Sequence, residues 1–190
     1  MTTWLTRIDR LVLGGYMLLA SLGLWLDQRA ASEQVRQGDL SVVAAWLECL
    51  DCRVLFLQRL ARIPHGRQEN VAQFLSHALL NGPDSVRVAR LDLDLGRVWY
   101  ADSVYAARKG DSLHTTRVAF MQRYRRGFQV IWRSRAATAL GVLQTPGSLK
   151  ALDRALQLPI DSIAPGDSTI ARAVRNARAG KPLPTMIGVP

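Results

Sequence analysis

Leu11 to Leu26 is a sixteen-residue apolar stretch without a charge, bounded by Arg10 and Asp27. A run of that kind has few destinations in water. At about 1.5 Å of rise per residue, a helix over it reaches roughly 24 Å, short of the ~30 Å hydrocarbon core of a bilayer. Arg10 can snorkel, and Trp4, Leu5 and Ile8 extend the apolar surface on the entering side. Trp4, Arg10 and Trp25 therefore stand where the membrane-interface residues of a span stand. Gly14, Gly15 and Gly23 suit close helix packing in lipid. The expectation is a membrane anchor with its helical extension over residues 1–36. Two other destinations stay open. One is a buried or interfacial helix. The other is a cleaved signal peptide, although Asp27-Gln28-Arg29-Ala30-Ala31 puts charge where a small-x-small cleavage site belongs.

Lys and Arg near the run tie between its two sides, and the amino terminus tips the orientation toward N-inside, C-outside. In a bacterium this makes a single-pass inner-membrane protein with a periplasmic body. Beyond the anchor about 150 residues remain, enough for one core. The chain carries a net charge of +10, almost all of it through arginine, twenty-two Arg against three Lys. Such fixed charge suits anionic lipid, nucleic acid or acidic protein surfaces.

Cys49 and Cys52 are the two cysteines, spaced as C-x-x-C. A zinc site needs two further ligands, and His65, His77 and His114 have no finger-like spacing. A thioredoxin-like use needs a βαβ context that the sequence lacks. A local disulfide fits an oxidising compartment; metal and redox readings remain beside it.

Strand signals are nearly absent, and helical periodicity punctuated by Gly and Pro runs throughout. Helices are expected from Ser41 to about Arg62, over Gln68–Leu80, from Asp84 or Ser85 to Leu95, and over Val98–Ala107. Gly96 is a potential break between the last two. Further helices are expected over Ser112–Leu143, Leu149–Leu158 after Pro146-Gly147-Ser148, and Thr169–Ala179. Together they make a helical domain over residues 40–180 and a mobile tail over 181–190, rich in Pro and Gly.

Val86–Ala107 and Ile131–Leu152 align at an offset of 45 residues. Val86 meets Ile131, Arg90 meets Arg135, Leu95-Gly96 meets Leu140-Gly141, and Val104 meets Leu149. Both read as helix, Leu-Gly, short turn, helix. A period of that size signals stacked helical hairpins, because one hairpin cannot bury its apolar face alone. A generic helical bundle with two similar helix ends is the plainer reading. The segments from Pro83 to Arg90 and from Arg133 to Leu152 resemble HEAT-type repeats. Leu95-Gly96, Trp99, Tyr105 and Ala107 also resemble the tetratricopeptide pattern. The resemblance covers residues 84–156. It implies an α-solenoid-like scaffold that holds other proteins in a concave face, and no catalysis.

From Ser112 to Leu152 there is no acidic residue. Phe120, Tyr124, Phe128 and Trp132 recur every fourth position and share one side of a helix with Met121 and Ile131. Arg117, Arg123, Arg125, Arg126, Arg133 and Arg135 are the candidate partner- or lipid-binding residues. Three uses compete: a core stripe with a solvated basic face, contact with acidic protein or anionic headgroups, and nucleic-acid binding.

No nucleophile elbow, phosphate loop or metal-ligand helix is present. Asp92 and Asp94 diverge on a helix, and His65, His77 and His114 have no partner at a useful spacing. The expected protein is thus all-α, an N-terminal transmembrane helix followed by an α-solenoid-like helical-hairpin domain. It is expected to be no enzyme and to use no cofactor, metal or small-molecule substrate. Its expected partners are the lipid bilayer and other subunits of a secretion, conjugation, respiratory or photosynthetic complex. The alternative is a cytosol-facing basic protein that binds nucleic acid or anionic lipid through residues 117–135. The cysteine reading has a direct check. Alkylation of the denatured native protein should leave Cys49 and Cys52 unmodified until reductant is added, as read by intact mass. Immediate modification of both would remove the disulfide.

Overall fold

The computed structural model describes residues 33–34, 36–37, 39–48, 55–159 and 169–181. The Leu11–Leu26 run with Trp4, Arg10 and Trp25, the Cys49–Cys52 pair and the tail from residue 182 lie outside the described residues. The described part is all-helical, with seven helices and no strand among the described residues. They are α1 (Leu40–Glu48), α2 (Leu55–Leu60), α3 (His65–Asn81), α4 (Ser85–Arg108), α5 (Arg117–Leu143), α6 (Pro146–Gln157) and α7 (Thr169–Arg178). None of these helices is long and apolar enough to cross a membrane.

Local chemistry sets most of the boundaries. Asp84 Oδ1 accepts from Arg87 N at 2.8 Å and opens α4. Thr116 accepts from Ala119 N and opens α5, so that helix starts at Arg117 and not at Ser112. Thr145 accepts from Ser148 N and opens α6, with Pro146 at the first helical position, where its missing N–H costs nothing. Gly82 ends α3 at φ 82°, a conformation only glycine takes cheaply. α3 begins three residues earlier than periodicity suggests, directly after Pro64.

α4 runs unbroken through Gly96. One glycine inside a helix costs about 1 kcal/mol, and no proline or second breaker follows it. The two stretches that align in sequence therefore differ in form. Ile131–Leu152 is helix, turn, helix, with Gln144 left-handed at φ 51° and Pro146 behind it. Val86–Ala107 is one continuous helix with no turn at Leu95-Gly96.

α5 touches all six other described helices. Its segment Ser134–Gly141 is buried at every position. A helix enclosed on all sides is apolar or small all round, and here Ala136, Ala137 and Ala139 let neighbours approach. The core around it is built by Val43 and Leu47 of α1, Leu60 of α2, Leu75 and Leu79 of α3, Leu140 of α5, Leu152 of α6, and Ile170 and Val174 of α7. Each such side chain contributes roughly 1.5–3 kcal/mol through burial. At Gly141 a Cβ would stand 2.7 Å from Ala177 Cα, so α5 and α7 meet nearly backbone to backbone. Gln144 Nε2 fastens the same junction, donating to Gly141 O at 2.7 Å and Ala177 O at 3.1 Å.

α4 contributes no residue to that core. It leans on the first half of α5 as an antiparallel arm. Arg87 sits over the Trp132 ring, Asp92 pairs with Arg125, and Trp99 packs on Phe120. As the number rises along α4 its partner's number falls along α5.

Two glycines of α5 should respond oppositely. Gly141→Val has no space and should cost about 1–3 kcal/mol or more by overpacking. Gly127 has nothing within 4 Å of its Cβ position, so Gly127→Ala should stabilise by about 0.5–1 kcal/mol. Urea unfolding of both variants checks the pair.

Candidate functional site

The six arginines expected to act together lie on one helix but have three different fates. Arg117, Arg123 and Arg126 are exposed in the outer half of α5. Arg125 is also exposed and is held by a two-pronged pair to Asp92 of α4, Nε to Oδ1 at 2.5 Å and Nη2 to Oδ2 at 2.7 Å. That carboxylate raises the Arg125 pKa above its ordinary value. Arg133 and Arg135 turn inward.

Arg133 is half-buried, and its Nη1 donates to Leu79 O at 2.9 Å and Leu80 O at 3.0 Å. These are carbonyls of the last turn of α3, which has no later helical N–H to bond them. The same guanidinium lies against Gly82, whose missing side chain leaves room for it. Arg135 is 6% exposed, and its Nη1 donates to Trp46 O at 2.9 Å and Leu47 O at 3.4 Å, both in α1. Its guanidinium carbon sits 5.7 Å from the Trp46 ring centroid. At the C-terminus of α3 the Arg133 cation also meets the negative end of the helix dipole. Burial pushes the pKa of both arginines down. Two residues apart on α5, they bond backbone carbonyls of two different helices.

The aromatic stripe divides in the same way. Trp132 is buried and Phe128 packs beside it, ring centroids 5.9 Å apart, at the edge of the core. Phe120 is wedged between Trp99 at 5.3 Å and Tyr124 at 4.6 Å, and Tyr124 is exposed. The inner half of the stripe is core; the outer half joins the arm.

The arm also carries a surface that charge and motif reading of the sequence passed over. Val86, Leu93 and Tyr100 of α4 are 69%, 67% and 71% exposed, on the side away from α5. The available signal was their spacing of seven, overshadowed by the inward residues Leu95 and Trp99. Arg87 was also passed over. It bonds Glu48 Oε1 at 2.5 Å and pairs with Asp84, tying α1 to the start of α4.

The remaining titratable residues are scattered. His65 Nδ1 is 3.2 Å from Gln68 Oε1 in the first turn of α3, while His77 and His114 are exposed. Asp94 makes a long contact with Arg97 at 3.4 Å. Among the described residues no three His, Cys, Asp or Glu side chains gather as a metal would require. What the arrangement can do chemically is present a basic and apolar surface on a helical arm. No family model matches the chain, and neither the curated proteins nor the solved structures contain a match to it.

The two classes of arginine should separate in unfolding experiments. Arg135→Met keeps bulk and removes the buried hydrogen bonds to Trp46 O and Leu47 O; the expected loss is about 1–3 kcal/mol. Arg123→Ala and Arg126→Ala should stay within about 0.5 kcal/mol of the parent. Equal effects would mean that the buried bonds of Arg135 to α1 do not hold the fold.

Proposed function

We propose that this chain is a non-catalytic, membrane-anchored helical scaffold subunit of a larger bacterial membrane or envelope complex. In this reading Leu11–Leu26 spans the inner membrane once, with the amino terminus inside and the body in the periplasm. The helical body behind it is a platform for other subunits. One observation carries the reading. The α4–α5 arm stands outside the core and exposes Val86, Leu93 and Tyr100, large apolar side chains on a helix already packed on its other side. Large apolar side chains repeating along one exposed helix face, with charge between them, suit a helix–helix interaction site. Cys49 and Cys52 fit this reading as a local disulfide, since the periplasm is oxidising.

The second reading is a cytosol-facing protein that binds nucleic acid or anionic lipid through residues 117–135. Arg117, Arg123 and Arg126, exposed on a helix without acidic residues, favour it. The inward turn of Arg133 and Arg135 removes two of the six charges it needs. With three phosphates neutralised, the expected logarithmic salt slope on duplex DNA is about −3.

Paired reporters fused to the C-terminus, one active only outside the inner membrane and one only inside, test the assignment. The outside reporter should be active, and the chain should stay with the membrane through a high-salt wash. Purification in mild detergent should then recover it with stoichiometric partner subunits. Activity of the inside reporter, with DNA binding of the expected salt slope, would replace the scaffold with the second reading.

A further inference from the structure

α4 has two apolar faces. The inner face, with Leu95 and Trp99, rests on α5. On the opposite side the row Val86, Arg90, Leu93, Arg97, Tyr100, Val104 advances by alternate steps of four and three residues. That alternation, averaging 3.5, keeps a row on one side of a helix and is the seam of a coiled-coil contact. The row spans about 27 Å at 1.5 Å per residue. Every position is exposed except Val104, which is half-buried.

The composition of the row determines what can cover it. Arg90 and Arg97 stand within it, and Asp94 separates it from the exposed Val98 and Tyr105. A helix that lies in a membrane surface needs an unbroken apolar face, on the order of 100° or more. A second copy of this chain is also disfavoured, because four seam arginines would be brought together with no seam carboxylate to meet them. Arg90 has no carboxylate within ion-pair distance among the described residues. Arg97 has only the 3.4 Å contact with Asp94, both side chains largely in solvent, so it is redirected at little cost. Apolar positions every seven residues with arginines between them fit a partner helix that brings leucine-like side chains to the first and carboxylates to the second.

We propose that the outer face of α4 is the docking site for an acidic amphipathic helix of a partner protein, which packs along Val86, Leu93 and Tyr100 and pairs with Arg90 and Arg97. This rests on the reading of the arm as a partner-binding element and specifies the chemistry of that partner.

The test uses the full chain in non-ionic detergent and a synthetic four-heptad peptide. The peptide carries Leu at its seam positions and Glu at the flanking positions, where the glutamates also keep it from pairing with itself. A scrambled peptide of the same composition is the control. The heptad peptide should bind and the scrambled one should not. Arg90→Glu with Arg97→Glu should weaken binding at least tenfold and create binding to a peptide with Lys in place of Glu. Leu93→Asp should also weaken it at least tenfold. These positions are exposed, so unchanged helicity and unfolding midpoint will show that the variants fold.

Equal binding of the scrambled peptide, no binding at all, or no effect of the charge reversal would each overturn the proposal. So would a dimer of the unliganded chain that Leu93→Asp dissociates, which assigns the face to a second copy. A Leu93→Cys probe in a Cys49→Ser, Cys52→Ser chain covers the remaining occupant. Its protection from a water-soluble maleimide in anionic but not neutral nanodiscs would assign the face to lipid and overturn the proposal. Failure of the peptide to bind while native subunits still co-purify removes this docking chemistry alone. Failure of any subunit to co-purify with the wild-type chain is the separate failure of the scaffold reading.

Discussion

Two guanidinium groups entering the body from one buried helix organise this fold. Taking a cation out of water costs several kcal/mol, and the cost is offset only where oriented acceptors wait. Backbone carbonyls of α1 and α3 supply them: Trp46 O and Leu47 O for Arg135, Leu79 O and Leu80 O for Arg133. At the end of α3 each side solves the other's problem: terminal helix carbonyls need donors, and an arginine leaving water needs acceptors in a planar spread. The positions of α1 and α3 along α5 are thereby set by directional bonds. Apolar packing alone would leave the helices freer to slide. Arg87 repeats the device at the rim, where it joins Glu48, Asp84 and the Trp132 face.

Much of the architecture was legible from the sequence. Helical periods and the stop at Gly82-Pro83 follow from rules that act within a few residues; α6 starts at Pro146 behind the Thr145 cap, three residues before the expected Leu149, because proline is itself accepted in the first turn. The long-range features were not, and each has a physical reason. Arg133 and Arg135 count as charge in any composition-based reading, and charge points outward by default. Their destination depends on backbone carbonyls about 50 and 90 residues away in sequence. A trace exists in the run Ser134, Ala136, Ala137, Thr138 and Ala139, whose small side chains mark a helix enclosed on all sides and so turn an arginine within it inward. Gly96 misled in the other direction. It looks like the partner of Gly141, but Gly141 is needed where α7 passes at contact distance, whereas the Gly96 Cβ position meets only the end of Arg117 at 3.6 Å. The same residue type therefore has a packing cause at one place and none at the other.

The six arginines of α5 show how one sequence feature divides once a helix is half enclosed. The helix leaves the core near Phe128, and the division falls there. Inside it, Trp132, Arg133 and Arg135 are structural; outside it, Arg117, Arg123 and Arg126 face water. The surface of the arm is consequently less basic than the sequence suggests, and part of what remains is neutralised by the Arg125–Asp92 pair.

Such an arm is expensive to leave uncovered. α4 supplies no side chain to the core and holds to α5 through one aromatic cluster, the Arg87–Trp132 contact and the Asp92–Arg125 pair, an exposed pair of that kind contributing at most about 1 kcal/mol. Elements with few buried contacts open most readily. Yet α4 is a 24-residue helix with a repeating apolar row on its free side, longer than packing against α5 requires. If the purpose of α4 were only to shield α5, polar residues at positions 86, 93 and 100 would serve as well and would lower the risk of aggregation. Large apolar groups there are explained when a further helix completes the arm, so that α4 becomes the middle layer of three and its stability is shared with whatever binds it.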